Sequence, residues 1–268
     1  MCSQLIGDTC MKAVLLAGGL GTRMREETEF RPKPMVEVGG KPVLWHIMKI
    51  LSSQGINDFV ICTGYKSEYI ANYFANHSSL ARDFTVHLGE DSTIEYHDKR
   101  DETLDWTVTV AYTGATTMTG GRLKRVREYL GDEPFLCTYG DGIANVDIRG
   151  LQQFHREHGR PATMTATRPF SRFGVIDMLE DGSVAKFREK PQTDDWINIG
   201  YFIFEPEIFD YLEGDETVLE DKPLHSLADA GKLSAFRHDG FWQPMDTYRE
   251  SQMLNELWNR GDAPWKIW

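Results

Sequence analysis

An apolar run, Ala13-Val14-Leu15-Leu16-Ala17, stops abruptly at Gly18-Gly19-Leu20-Gly21-Thr22-Arg23. The run reads as a short buried strand bounded by Gly18. A glycine-rich turn leaving such a strand exposes backbone N–H groups suited to holding an anion. The chain must therefore fold so that the end of one buried strand opens onto a charged ligand.

The rest of the chain supplies the company for that strand. "KPVLWHIMKILSSQGI" puts Leu44, Ile47, Met48 and Leu51 at helical spacing, with Pro42 at the start and Gly55 near the end. "DFVICTGY" is a second buried strand, followed by a helix through Tyr69 and Phe74. "FTVHLGE", "WTVTVAYTG", "PFLCTYGDG", "ATMTATRP", "FGVIDMLEDGSVAKFREKP" and "INIGYFIFEP" carry strand character. "GRLKRVREYL", "LQQFHREH", the segments after Pro206 and the stretch from Asp246 to Asn259 read as helical. Such alternation predicts an α/β fold, a Rossmann-like three-layer sandwich around a mostly parallel mixed sheet. Ligands gather at the carboxyl ends of the strands in such sheets, where Gly18–Arg23 and Gly140-Asp141-Gly142 both fall. With no repeat or linker, one domain is expected over 11–268, and residues 1–10 read as an extension ahead of the first strand.

Two common phosphate loops fail on inspection. A dinucleotide fingerprint needs glycine at position 24, which is methionine. A P-loop needs Gly-Lys-Ser/Thr, but Gly40-Lys41 is followed by Pro42. The formal net charge of −12 argues against nucleic acid and membrane surfaces as partners, so an anionic ligand needs a local cationic site. Arg23, Arg25, Arg31 and Lys33 supply one. No apolar run reaches membrane-spanning length, and "MCSQLIGDTC" lacks the features of a secretory signal. Cys62 and Cys137 sit in strand patterns as buried thiols, which suits a cytoplasmic location, and Cys2 and Cys10 have no partner cluster.

Gly18-Gly19-x-Gly21-Thr22-Arg23 followed by Pro32-Lys33-Pro34-Met35 resembles the signature of the sugar-1-phosphate nucleotidylyltransferase family, and the resemblance runs from Met11 to Trp268. The segments "KPVLWHIMK", "TGGRLKRVREYL", "TYGDG", "REKP", "GFWQPMDT" and "APWKIW" are similar to the members that use cytidine nucleotides. The resemblance implies the nucleotide-diphospho-sugar transferase type of fold, CTP and glucose 1-phosphate as substrates, CDP-glucose and pyrophosphate as products, Mg²⁺ as cofactor and a homo-oligomer. Use of dTTP or UTP, of another hexose 1-phosphate, or a non-catalytic nucleotide-binding role stay open as alternatives.

The chemistry needs no protein nucleophile, because the oxyanion of a sugar phosphate can itself attack a nucleotide's α-phosphate. The protein must neutralise charge and hold an in-line geometry. Arg23 and Lys33 would bind the triphosphate and stabilise the leaving pyrophosphate, and the Pro-Lys-Pro frame restricts the backbone around Lys33. The resemblance assigns the nucleotide to Leu16, Gly18, Gly19, Gly21, Thr22, Arg23, Lys33, Thr119, Gly121, Arg122 and Asp141. It assigns the sugar phosphate to Gly174, Glu189, Lys190 and Asn198, with Lys190 joining Arg23 and Lys33 as catalytic cations. Asp141 and Asp246 are the metal candidates, since Mg²⁺ takes one or two carboxylates plus phosphate oxygens and water. Cytosine presents adjacent acceptors at O2 and N3, and a guanidinium offers paired donors. Arg122 is thus expected to read the base, and Arg122→Ala to lose CTP preference far more than stability. The chain departs from the family pattern at Asn145, Ile199 and Tyr248.

Overall fold

The computed structural model describes residues 11–80, 82–88, 92–97 and 104–268; the 1–10 extension, with Cys2 and Cys10, lies outside the described residues. Seven strands form the central sheet: β1 Lys12–Leu16, β2 Asp58–Thr63, β3 Thr107–Tyr112, β4 Phe135–Tyr139, β5 Ala162–Thr167, β6 Ile197–Phe204 and β7 Leu233–Arg237. Their order is β7-β5-β6-β4-β1-β2-β3. Every pairing is parallel except those of β6, which runs antiparallel to both β5 and β4.

The unbroken apolar run of β1 follows from its central place. Ala13, Leu15 and Ala17 enter one core, Val14 and Leu16 the other, so both faces of the strand are covered. The first core takes the apolar faces of α1 (Val43–Ser53), α4 (Ile148–His158) and α6 (Tyr248–Asn259), and Ile70 of α2 (Ser67–Ala75). The second takes Leu123 of α3 (Thr119–Arg125) and Leu224 and Leu227 of α5 (Lys222–Asp229). These are the three layers that the alternation predicts. The α1 boundary falls where Pro42 places it, with Pro42 as the N-cap residue. Phe84–His87 of "FTVHLGE" pairs antiparallel with Thr93–Tyr96 outside the central sheet, and "FGVIDMLEDGSVAKFREKP" forms a separate hairpin, Val175–Met178 with Val184–Arg188.

The strand β7 is not predicted. "LSAFR" shows only partial burial, because an edge strand touches a single neighbour and carries a weaker apolar signal.

Candidate active site

The site begins where β1 and β4 end side by side. Leu16 pairs with Tyr139 in register, and the Gly140 amide donates to the Leu16 carbonyl at 2.9 Å. The glycine turn and the Gly140-Asp141-Gly142 turn therefore leave the sheet together. A third segment joins them because Trp242–Pro244 pairs antiparallel with Gly142–Ala144, and the Met245 amide donates to the Asp141 carbonyl at 2.9 Å. That pairing delivers Asp246 beside Asp141, although the two are far apart in sequence. A cleft of about 480 Å³ opens between them, lined along its length by the glycine turn.

Each glycine of the turn has its own reason. Gly21 has φ +62, in the left-handed region, and a Cβ there would lie 2.7 Å from Thr28. A Cβ on Gly18 would lie 2.2 Å from the Arg122 guanidinium, so Gly18 is where a buried arginine passes under the chain. Gly19 has nothing within 4 Å of its missing Cβ, which leaves that part of the cleft open to a ligand. Thr22 and Arg23 follow in a short 3₁₀ turn, Thr22–Met24.

One part of the cleft lining is a cluster of four charged side chains, Arg23, Lys33, Asp141 and Asp246. Lys33 is held in a 3₁₀ turn, Lys33–Met35, between its two prolines, and its side chain is only 10% exposed. Its Nζ donates to Asp141 Oδ2 at 2.6 Å and to Asp246 Oδ1 at 2.5 Å. Arg23 NH1 stands 3.5 Å from Asp246 Oδ2, with its side chain 79% exposed and open to an incoming group. Burial pulls the Lys33 pKa down, but the charges and hydrogen bonds of Asp141 and Asp246 outweigh it and hold the ammonium above its usual value. Burial likewise pushes Asp246 up, and the Lys33 hydrogen bond and charge more than reverse it, leaving Asp246 below the ordinary carboxylate value. Asp246 is not the helix cap. Thr247 caps α6 in a capping box with Glu250, whose carboxylate also accepts from the Asp246 amide at 2.7 Å. The Asp246 carboxylate is thereby left for the cleft.

The two aspartates fit a hard divalent cation. Oxygens from both already converge on a single cationic atom, and carboxylate oxygen is the donor type such an ion takes. Among the described residues no group of three or more His, Cys, Asp or Glu side chains is placed to hold a metal, so the remaining ligands would have to come from substrate and water.

Another part of the lining carries Thr117, Met118, Thr119, Arg122 and Tyr139. Arg122 is 4% exposed. Its NH1 donates to the carbonyls of Thr63 (3.0 Å) and Gly114 (2.7 Å) and to Thr113 Oγ1 (2.9 Å), and its NH2 donates to the Gly18 carbonyl (2.9 Å). NH1 is thereby engaged within the protein and, with NH2, ties the glycine turn to β2 and the loop after β3, while the side chain also lines the cleft. Gly121 lies one layer back, and a Cβ on it would strike the Asp215 backbone at 2.6 Å. Gly120 and Gly121 are glycines because the 214–217 segment crosses them.

The sugar-phosphate set is not gathered into this cleft. Glu189 and Lys190 end the exposed hairpin, 63% and 62% exposed, and pair with each other at 3.9 Å. Gly174 packs under the Phe187 ring. Asn198 Oδ1 accepts from the Gly200 amide at 2.8 Å, folding back on its own strand.

The sequence pattern of the nucleotidyl transferase family matches residues 12–243. The chain belongs to that family. The glucose-1-phosphate cytidylyltransferase of Salmonella typhi is 54% identical to this nucleotidyl transferase over 260 residues, covering 96% of this chain and 100% of the relative. Among solved structures, HddC from Yersinia pseudotuberculosis superposes with a TM-score of 0.68 at 23% identity, covering 92% of this chain and 99% of that one. A UDP-glucose pyrophosphorylase solved with UDP-glucose gives 0.67 at 17% identity, covering 94% and 100%. These two likenesses show the fold, an α/β sheet of mostly parallel strands with helices on both faces.

Tyr139 and Glu220 are not among the site residues expected from the sequence. Tyr139 lines the cleft and donates to Glu220, and Glu220 also accepts from Thr119 Oγ1 at 2.7 Å. Burial, reinforced by Glu220, drives the Tyr139 phenol pKa above its usual value, so it stays protonated. Asn145, one of the expected departures from the family pattern, accepts from the Phe241 amide at 2.7 Å and donates to the Pro264 carbonyl at 3.2 Å. A carboxylate could make only the first of these bonds. Ile199 is buried in the core at 3% exposure, and Tyr248 is the first residue of α6, half exposed.

Proposed function

We propose that this nucleotidyl transferase moves a cytidylyl group from CTP to glucose 1-phosphate, releasing CDP-glucose and pyrophosphate. The carrying observation is the 54% identity, over the full length of the relative, to a glucose-1-phosphate cytidylyltransferase. The cleft agrees with it in chemistry. A phosphate oxygen of glucose 1-phosphate forms a bond to the α-phosphorus, and the bond from that phosphorus to the bridging oxygen breaks as pyrophosphate leaves. Arg23 and Lys33 take the negative charge of the leaving half, and Gly19 leaves the backbone accessible to the nucleotide. Asp141 and Asp246 would hold Mg²⁺, which when bound neutralises phosphate charge. Leu16, Gly18, Gly21, Thr22 and Thr119 complete the proposed nucleotide contacts. Gly121 and Arg122, the latter in the lining of the cleft, are the remaining proposed nucleotide residues. Lys190, with Glu189, Gly174 and Asn198, is the proposed sugar-phosphate contact, and its exposed ammonium is available to a dianion.

We also read the chain as a homo-oligomer of the cytoplasm. The buried free thiols Cys62 and Cys137 suit a reducing compartment. Burial pushes the Cys62 thiol up to about 12 and Cys137 well above its usual value, so neither is reactive. Among the described residues no helix is long and apolar enough to cross a membrane.

The test is pyrophosphate release with glucose 1-phosphate, Mg²⁺ and each of CTP, UTP, dTTP, ATP and GTP. Release with CTP alone is expected. Release with UTP or dTTP in its place would transfer the assignment to that nucleotide, and release with none would remove the glucose assignment.

A further inference from the structure

The atom that Asp141 and Asp246 hold between them is the Lys33 ammonium. Its Nζ is 2.6 Å from one carboxylate and 2.5 Å from the other, and Arg23 adds a second cation to Asp246 at 3.5 Å. A divalent ion bound by the same two oxygens would sit about 2.1 Å from each. An ammonium and a metal ion bridging the same two oxygens would stand only a few ångströms apart, where like charges repel strongly. Lys33 and a metal ion therefore compete for one place.

The surroundings favour the lysine in the free chain. Its side chain is nearly buried, and the 3₁₀ turn with a proline on each side fixes the backbone from which it reaches. A bare aqueous cation would have to shed water, displace a charge-assisted pair and leave a buried ammonium without a partner. A triphosphate changes this balance. Its oxygens give Lys33 another anionic partner, and the carboxylates are then left for a cation already carried by the phosphates.

We propose that Lys33 is a built-in placeholder for the metal. It keeps Asp141 and Asp246 convergent and closed to free divalent cations, and it exchanges onto the phosphates when the nucleotide arrives, so that metal and nucleotide enter together. The inference rests on the proposed role of the two aspartates as the metal carboxylates.

Mn²⁺ is the probe, and its retention by the nucleotide-free chain is measured by isothermal titration calorimetry and by electron paramagnetic resonance. Lys33→Met keeps the length of the side chain and removes its charge, and is expected to bind Mn²⁺ about tenfold or more tightly than the unmodified chain. Lys33→Arg retains a cation and is expected to keep Mn²⁺ out. Adding CTP to the unmodified chain should raise its Mn²⁺ retention above that of CTP alone. Lys33→Gln repeats the measurement should the methionine variant lose its native melting transition. Equal Mn²⁺ affinity in the unmodified chain and in both neutral variants overturns the placeholder. Asp141→Asn and Asp246→Asn separate the two ideas. If they leave the CTP-dependent Mn²⁺ signal intact, the metal role of the aspartates fails first, and the placeholder with it. If they abolish it while the Lys33 variants change nothing, only the placeholder is lost.

Discussion

Arg122 is built into the wall of the cleft, with four oxygen acceptors around its guanidinium. Arg122→Ala leaves buried carbonyls of β2, the loop after β3 and the glycine turn without a donor, and removing a charged donor of this kind costs about 3 kcal/mol or more. Urea unfolding should show that loss, and Arg122→Lys should recover little of it, because a point-like ammonium cannot serve four acceptors spread around a plane. The sequence alone predicts the opposite balance, with preference lost before stability. The residue is legible and its internal bonds are not, since its acceptors come from Gly18, Thr63, Thr113 and Gly114, segments whose meeting no local spacing reveals. Lys33 differs. Its proline frame is visible in the chain, and only its two carboxylate partners require the fold.

At the scale of elements, α1 and the C-terminal segment form one unit. The His46 Nε2–H donates to the Val38 carbonyl at 2.8 Å, and Nδ1 accepts from the Trp265 indole at 3.4 Å. Trp258, Trp265 and Trp268 surround the imidazole, and Trp265 is fully buried. The segments "KPVLWHIMK" and "APWKIW" stand at opposite ends of the sequence, and this packing is what joins them. Burial, with Lys41 nearby, lowers the His46 pKa from 6.5 to about 4. The unfolded chain therefore takes up this proton first. Stability is intact above pH 6.5 and falls as the pH drops towards 4, by about 3 kcal/mol from this group. His155 and His158, also lowered chiefly by burial, add slope of the same sign. Urea unfolding at stepped pH should thus give a shallower acid slope for His46→Gln than for the unmodified chain, whatever its stability at pH 7.

For the whole molecule, the parallel core of the sheet is legible because strands covered on both faces read as continuous apolar runs. The edge strand β7 and the short pairing of Trp242–Pro244 with Gly142–Ala144 are not, since five partly exposed residues in the one and strands of three residues in the other leave no periodic trace. The second hairpin has a different message. Ile176 faces Phe187 and Met178 faces Val184 across the ladder, giving one apolar face whose four residues are 48%, 63%, 67% and 56% exposed. A patch of this kind on a folded chain marks a contact surface. Sedimentation velocity should report a mass above the 30.7 kDa monomer, and Met178→Lys with Val184→Lys should shift it to that monomer.

The span of the Lys33 bonds has a consequence for synthesis. The lysine meets one carboxylate 108 residues downstream and the other 213 residues downstream. On the ribosome Lys33 emerges long before either partner, and Asp246 emerges after every strand of the sheet. The full cluster cannot close on a nascent chain until Asp246 has been translated, so its two carboxylates come together on Lys33 only after every strand of the sheet has emerged.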